Sequence, residues 1–208
     1  MKNSILLGLC VPMFLLSSLA MADGNRYDKE RRYHSEIGVS EAFVLTHYNR
    51  GNVSGSEFRN AVLIDVRSIP EYVAGHPANA VNIPYPRIHP TIDSTLNAAE
   101  KASLFVEAVM AAYPDKNTPI LLLCRTGSRS VDAGNLLADA GYTHVRNIWE
   151  GFIGMPKVDT KGNLLDLNNN GIIGDEGDLD GWKNYAGLPY STRLLPQLIY
   201  QPLSYLYY

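Results

Sequence analysis

Residues 119–130 read PILLLCRTGSRS: an apolar run that ends at Cys124 and opens into Arg125, Thr126, Gly127, Ser128, Arg129 and Ser130. A short apolar run bounded by turn residues predicts a strand buried on both faces, which a parallel sheet needs. Beyond it, Ser130 is placed to cap a helix over 131–140, where Val131, Leu136 and Leu137 have helical spacing. Cys124 thus falls on a strand–loop–helix corner. Such corners bind anions, because loop amides point inward and the helix dipole adds positive potential. The thiolate is the nucleophilic form of cysteine. Arg125, Arg129, the loop amides and the helix start all favour it at Cys124, and they would hold an oxyanion against it. A buried, inert cysteine has no need of flanking arginines.

Further elements alternate on either side of this corner. Ser40 caps a predicted helix that runs to about Tyr48, and 51–60 is a Gly/Ser/Asn loop. Residues 61–66 (AVLIDV) are a second buried strand. Pro70 suits the first turn of a short helix that Gly75 ends. Residues 80–83 make a short strand stopped by Pro84, and 85–95 a loop. Residues 96–113 predict a helix with Leu104, Phe105, Ala108, Val109 and Ala112 on one face. Gly141 ends the helix after Cys124, and 144–148 is another strand. Strands alternating with helices argue for a parallel α/β sheet, its site at the carboxyl ends of the strands.

A chain of 208 residues can bury one proper core. Its net charge of −3 offers no electrostatic footprint for nucleic acid. At the N-terminus, Lys2, an apolar run over 5–19 and Ala20-Met21-Ala22 form the pattern of a secretory signal peptide, residues 1–22. The run is short for a membrane span, so no membrane association is expected after cleavage. The expected location is exported, with a periplasm the best fit. Cleavage removes Cys10 and leaves Cys124 as the one cysteine, which marks it as a reactive thiol or an intermolecular link. Residues 23–37 are a polar, charged lead-in expected to be poorly ordered.

Taken together, Asp65-Val66-Arg67, Glu71-Tyr72, Gly75-His76, Asn82-Ile83-Pro84 and Cys124-Arg125-Thr126-Gly127-Ser128-Arg129-Ser130 resemble the rhodanese (thiosulfate:cyanide sulfurtransferase) family. The similarity covers about 38–151 and resumes at Gly181-Trp182-Lys183 and Ala186-Gly187-Leu188-Pro189. It implies an α/β, rhodanese-like domain over 38–190, a five-stranded parallel sheet flanked by helices on both faces. It also implies that Cys124 carries a persulfide cradled by residues 125–130. From Cys124 to Arg129 the loop has six residues. Sulfur-carrying members resemble this, whereas related dual-specificity phosphatases and arsenate reductases have a longer loop. Three features depart from the family pattern. Asn79 stands where a glycine is usual, and Asn is the next-best residue for positive φ. Trp149-Glu150 precedes Gly151 in place of a second glycine. Residues 155–180 are an insertion.

Asp65 and Arg67 end the strand beside the active loop. They read either as ordering that loop or as part of a structural ion network with Glu71. His76 reads as a helix-end histidine rather than a general base, and no histidine has metal-ligand spacing. In the insertion, Asp166, Asn168, Asn170, Gly171 and Ile172 resemble the first half of an EF-hand calcium loop. Glu176 and Asp178 flank Gly177, which holds the place of the closing acid, and Asp175 is a further candidate. The competing reading is a solvated Asn-Gly hairpin with an acidic rim. The Tyr-rich tail, 191–208, reads as an apolar strap packed on the domain; the tail or the insertion could instead dock a partner protein.

The resemblance implies a sulfurtransferase that moves sulfur from a small donor such as thiosulfate to cyanide or a small thiol, in two covalent steps with no organic cofactor. Its rivals are a non-catalytic rhodanese-like binding module and, behind that, a phosphatase or arsenate reductase-type enzyme. The intact cysteine and arginines argue against the first, the short loop against the second.

Overall fold

A computed structural model describes residues 26–47, 60–184 and 186–208. The expected signal peptide and most of the 51–60 loop lie outside them. The described elements run β1 (Ser35–Ile37), α1 (Val39–His47), β2 (Val62–Asp65), α2 (Ile69–Val73), β3 (His76–Pro77), β4 (Val81–Asn82), α3 (Pro90–Asp93), α4 (Ala98–Ala112), β5 (Ile120–Leu123), α5 (Arg129–Asp139), β6 (Val145–Ile148) and β7 (Tyr190–Ser191). Five of the strands form one sheet in the order β1-β6-β5-β2-β4, and every pairing in it is parallel. The strand that ends at Cys124 lies in its middle.

All four residues of β5 are buried, because the sheet is covered on both faces. Side chains alternate across a strand. Leu121 and Leu123 therefore join Leu63, Ile148, Tyr72 and Trp182 on one face, with α1 and α2. Ile120, Leu122 and Cys124 join Ile64, Val145, Phe105 and Val131 on the other, with α4 and α5. A central strand of alternating apolar residues thus anchors two cores at once. Among the described residues, no helix is long and apolar enough to cross a membrane.

Several elements differ in detail from the sequence expectation. The helix after Cys124 begins two residues early: Ser128 is its N-cap and Ser130 lies within it, fully buried. On α4 only Phe105 and Val109 are buried, while Leu104 is at the surface, because the helix meets the sheet along a narrow stripe. The helix starts at a capping box between Asn97 and Glu100. Asn79 lies in a turn but does not take a positive φ; among the described non-glycine residues only Asn60 and Asn169 do. The lead-in is packed from Arg26 onward and supplies the edge strand β1.

The tail folds back over α2 and β4. Tyr207 is buried, meets Tyr72 edge-on, and donates from its hydroxyl to Asn82 Oδ1 at 2.5 Å. The same hydroxyl accepts from the Tyr200 amide at 3.1 Å. Tyr207→Phe would keep the ring but leave these buried polar groups unsatisfied. We expect it to cost about 1–3 kcal/mol, read as a lower urea midpoint with an unchanged slope.

Candidate active site

Backbone geometry puts a loop amide on the Cys124 sulfur. Cys124 is fully buried, and its Sγ accepts a hydrogen bond from the Gly127 amide at 3.1 Å. For amides to face the sulfur, the loop carbonyls must face away and find donors elsewhere. The Cys124 carbonyl takes the Phe152 amide at 2.8 Å, and the Arg125 carbonyl takes those of Ile153 and Gly154 at 3.0 and 3.1 Å. Asn147 on β6 donates its side-chain amide to the Gly127 carbonyl at 3.2 Å. Two glycines permit this close nesting. A Cβ on Gly127, at φ +84°, would lie 1.8 Å from the Trp149 carbonyl oxygen, and one on Gly151, at φ +75°, would lie 2.6 Å from that of Arg125. Trp149-Glu150 is therefore compatible with the turn, since the tight approach falls at Gly151. Glu150 itself faces the other way and accepts from the Val39 amide.

The two arginines of the loop differ in role. Arg129 is buried and donates to both carboxylate oxygens of Glu71 on α2, each at 2.7 Å. Burial works against the Glu71 charge, but the Arg129 hydrogen bonds and charge, helped by Arg67 and Ser68, outweigh it and hold the carboxyl at about 2. Arg129 therefore fixes the helix start to α2. Its guanidinium, expected in the anion cradle, turns to the Glu71 carboxylate. The side chain of Arg125 makes no ion pair or hydrogen bond with any described residue. It lines a cleft of about 260 Å³ with Arg67, Glu71, Phe152, Lys183 and Tyr190.

Asp65 and Arg67 form a buried bidentate pair, with contacts of 2.6–3.1 Å. Arg67 also donates to the Gly75 carbonyl and lies 3.9 Å over the Phe152 ring. Phe152 is the residue whose amide holds the Cys124 carbonyl, so the pair braces the loop through that ring. Glu71 pairs directly with Arg129, and the nearby Arg67 charge also lowers its carboxyl. His76 is buried, stacked on Tyr72 at 3.7 Å, and burial lowers its pKa, so it stays neutral near pH 7. The hydroxyls of Thr126 and Ser130 are buried with no partner among the described residues.

Sequence reasoning missed Arg26 and Lys29. Arg26 is buried and reaches the Thr126 carbonyl at 3.3 Å, the Trp149 carbonyl at 3.0 Å and Asp180 at 2.7 Å. Lys29 donates to the Ser128 carbonyl at 3.1 Å. Their spacing in a charged lead-in carries no signal of this role.

The cradle and sheet together match known proteins. A model of the rhodanese-like domain fits residues 49–154. This chain belongs to the rhodanese-like family. It is 34% identical to the thiosulfate sulfurtransferase PspE of Escherichia coli over 46% of this chain and 76% of that protein. It is 30% identical to thiosulfate sulfurtransferase 16 of Arabidopsis thaliana over 60% of this chain and 88% of that one. Among solved structures, a rhodanese with anions from E. coli matches at 31% identity and a TM-score of 0.32, over 42% of this chain and 82% of that one. The rhodanese-like match ends at Gly154, where the insertion begins.

The insertion closes on itself. Its neck pairs Met155 with Asp180, and Pro156 bridges Leu179. Asp166 accepts from the Asn170 and Gly171 amides, and the side-chain amides of Asn168 and Asn170 turn to Asp175. Asp178 is buried at the centre, taking the Leu167, Asn168 and Gly174 amides, while Ile172 and Glu176 are exposed. No group of three or more His, Cys, Asp or Glu side chains among the described residues is placed to hold a metal ion.

The Glu71–Arg129 pair has a pH signature. Because the Glu71 carboxyl is depressed from 4.5 to about 2, its stabilisation is complete above about pH 4.5 and fades as pH falls towards 2. Glu71→Gln leaves the buried Arg129 uncompensated, at a cost of about 3–5 kcal/mol at pH 7. The gap between wild type and variant should narrow from pH 4.5 downwards, as followed by urea unfolding.

Proposed function

We propose that this protein is a sulfurtransferase that moves a sulfane sulfur through a persulfide on Cys124. The observation that carries this reading is the Gly127 amide on Sγ within a loop whose carbonyls are drawn outward. In the first step the Cys124 thiolate attacks the outer sulfur of a donor such as thiosulfate. An Sγ–S bond forms, the donor's S–S bond breaks, and sulfite leaves with its electron pair. In the second step cyanide or a small thiolate attacks the outer sulfur, and the Cys124 thiolate is the leaving group. The loop amides stabilise the negative sulfur in both steps, so the chemistry needs no organic cofactor. Arg125 and Lys183 give the cleft beside the loop two cations that no described carboxylate neutralises, which suits an anionic donor. The thiosulfate sulfurtransferases among the relatives support this reading, and the intact cysteine weighs against a pure binding module.

The decisive measurement is the intact mass of the protein after thiosulfate. Wild type should gain one sulfur and Cys124→Ser none; an unchanged wild-type mass removes the proposal. Arg125→Ala should raise KM for thiosulfate by roughly tenfold, about 1.4 kcal/mol, and change kcat less, because the side chain meets the donor before the bond changes. Steady-state kinetics check it.

The reading extends to location: residues 1–22 would direct export, to a periplasm, and their removal would leave Cys124 as the one cysteine. For residues 166–178 we carry a separate proposal of weak calcium binding. Among the described residues no three carboxylates are gathered here, so calcium would have to draw Asp166, Asp175 and Asp178 together while the Asn168 and Asn170 amides rotate to present their oxygens. The expected Kd is ~10⁻⁴–10⁻³ M, and millimolar calcium should raise the melting temperature. No heat on titration and no thermal shift would leave a self-bonded turn.

A further inference from the structure

A peptide unit is planar and trans, so its C=O and N–H point in opposite directions. Whatever holds the carbonyl of one residue therefore aims the amide of the next. Gly127 N–H, the donor to Cys124 Sγ at 3.1 Å, belongs to the same peptide unit as the Thr126 carbonyl. The donor that reaches this carbonyl from outside is Arg26, at 3.3 Å. Lys29, paired with Asp132 at 2.5 Å, adds a weaker hold two residues on: it donates at 3.1 Å to the Ser128 carbonyl, which also takes the Val131 amide at 3.2 Å and whose peptide unit carries the Arg129 amide at the helix start. Both donors are cationic, so each polarises its peptide unit and strengthens the amide on the far side.

Arg26 is itself fixed. Its guanidinium is buried, paired with Asp180 at 2.7 Å, bonded to the Trp149 carbonyl, and stacked 4.5 Å over the Trp149 ring. Asp180 stands at the neck of the insertion and also accepts the Met155 amide. Arg26, Lys29 and Asp180 all lie outside the span that matches the rhodanese-like domain. These contacts thus reach the loop from outside the matched span.

We propose that Arg26, seconded by Lys29 and seated by Asp180, is a positioning residue for the Cys124 loop. It holds the Thr126 carbonyl outward and so keeps the Gly127 amide on the sulfur. The N-terminal segment and the insertion neck act together as a clamp on the active loop. This rests on the sulfurtransferase reading for its kinetic consequences, but not for its chemical one.

The test follows the first half-reaction in the full chain. At saturating thiosulfate, Arg26→Ala should form the Cys124 persulfide roughly 10- to 100-fold more slowly, somewhat less than the loss on deleting a direct oxyanion donor. KM should change less than threefold. Arg26→Lys should recover part of the rate, since it returns one cationic donor. Lys29→Met, at a half-exposed site, should slow the step roughly threefold. It serves alone if Arg26→Ala fails to fold, as judged by thermal melting. A folded Arg26→Ala with the wild-type persulfide rate overturns the clamp. So does a wild-type rate in Lys29→Met if Arg26→Ala does not fold. If wild type takes no sulfur from thiosulfate, the sulfurtransferase reading fails, and the clamp is then judged by iodoacetamide alkylation of Cys124 at pH 7. Slower alkylation in folded Arg26→Ala, or in Lys29→Met where only that folds, upholds the clamp; an equal rate rejects it.

Discussion

A loop can turn its amides toward a buried sulfur only if its carbonyls are satisfied on the other side. That constraint organises the region around Cys124. The carbonyls from Cys124 to Ser128 are taken by Phe152, by Ile153 and Gly154, by Arg26, by Asn147 and by Lys29. Their donors come from the turn after β6, from β6 itself and from the N-terminal segment. Gly151 exists to let that turn approach within hydrogen-bonding reach. The Cys124, Thr126 and Gly127 carbonyls have one such donor each and would be left unpaired without it, whereas those of Arg125 and Ser128 have two, the second on Ser128 being the Val131 amide.

Charge placement follows the same division of labour. The buried arginines, Arg26, Arg67 and Arg129, are each paired with a carboxylate, Asp180, Asp65 and Glu71. Such pairs contribute little net stability compared with apolar packing, but breaking one leaves a costly buried charge. Their value here is geometric: each ties a different element to the loop. Arg125 and Lys183, which have no carboxylate partner among the described residues, line the cleft beside the loop.

Segments outside the matched family region are part of this architecture. The N-terminal segment supplies β1 and two loop donors, and the tail closes the sheet's other end through Tyr207 and Asn82. Asn82 also donates to the Asp65 and Arg67 carbonyls, so the tail touches the strand ends that brace Phe152. The insertion begins and ends beside the active loop, at Gly154 and Asp180, although none of residues 155–180 lines the 260 Å³ cleft.

What was legible in the sequence was local. Apolar runs at 61–66 and 119–123, short and bounded by turn residues, read as strands covered on both faces, and Cys124 followed by small and basic residues reads as a turn into a helix. Four strands and the corner at Cys124 follow from such runs, and the count of five and the two covering layers from resemblance, but the fifth strand, β1, falls in the charged lead-in. What required the tertiary structure was partner choice. Arg129 and Arg125 are alike in sequence, but Arg129 points along α5 to Glu71 and Arg125 points into the cleft. Charged residues at 26 and 29 read as a solvated lead-in because their acceptors, the carbonyls of Thr126, Trp149 and Ser128, are backbone groups that no side-chain pattern records. Those acceptors lie about a hundred residues away along the chain. Main-chain hydrogen bonds across such separations depend on the chain's path, and that path is set only once both faces of the sheet are packed.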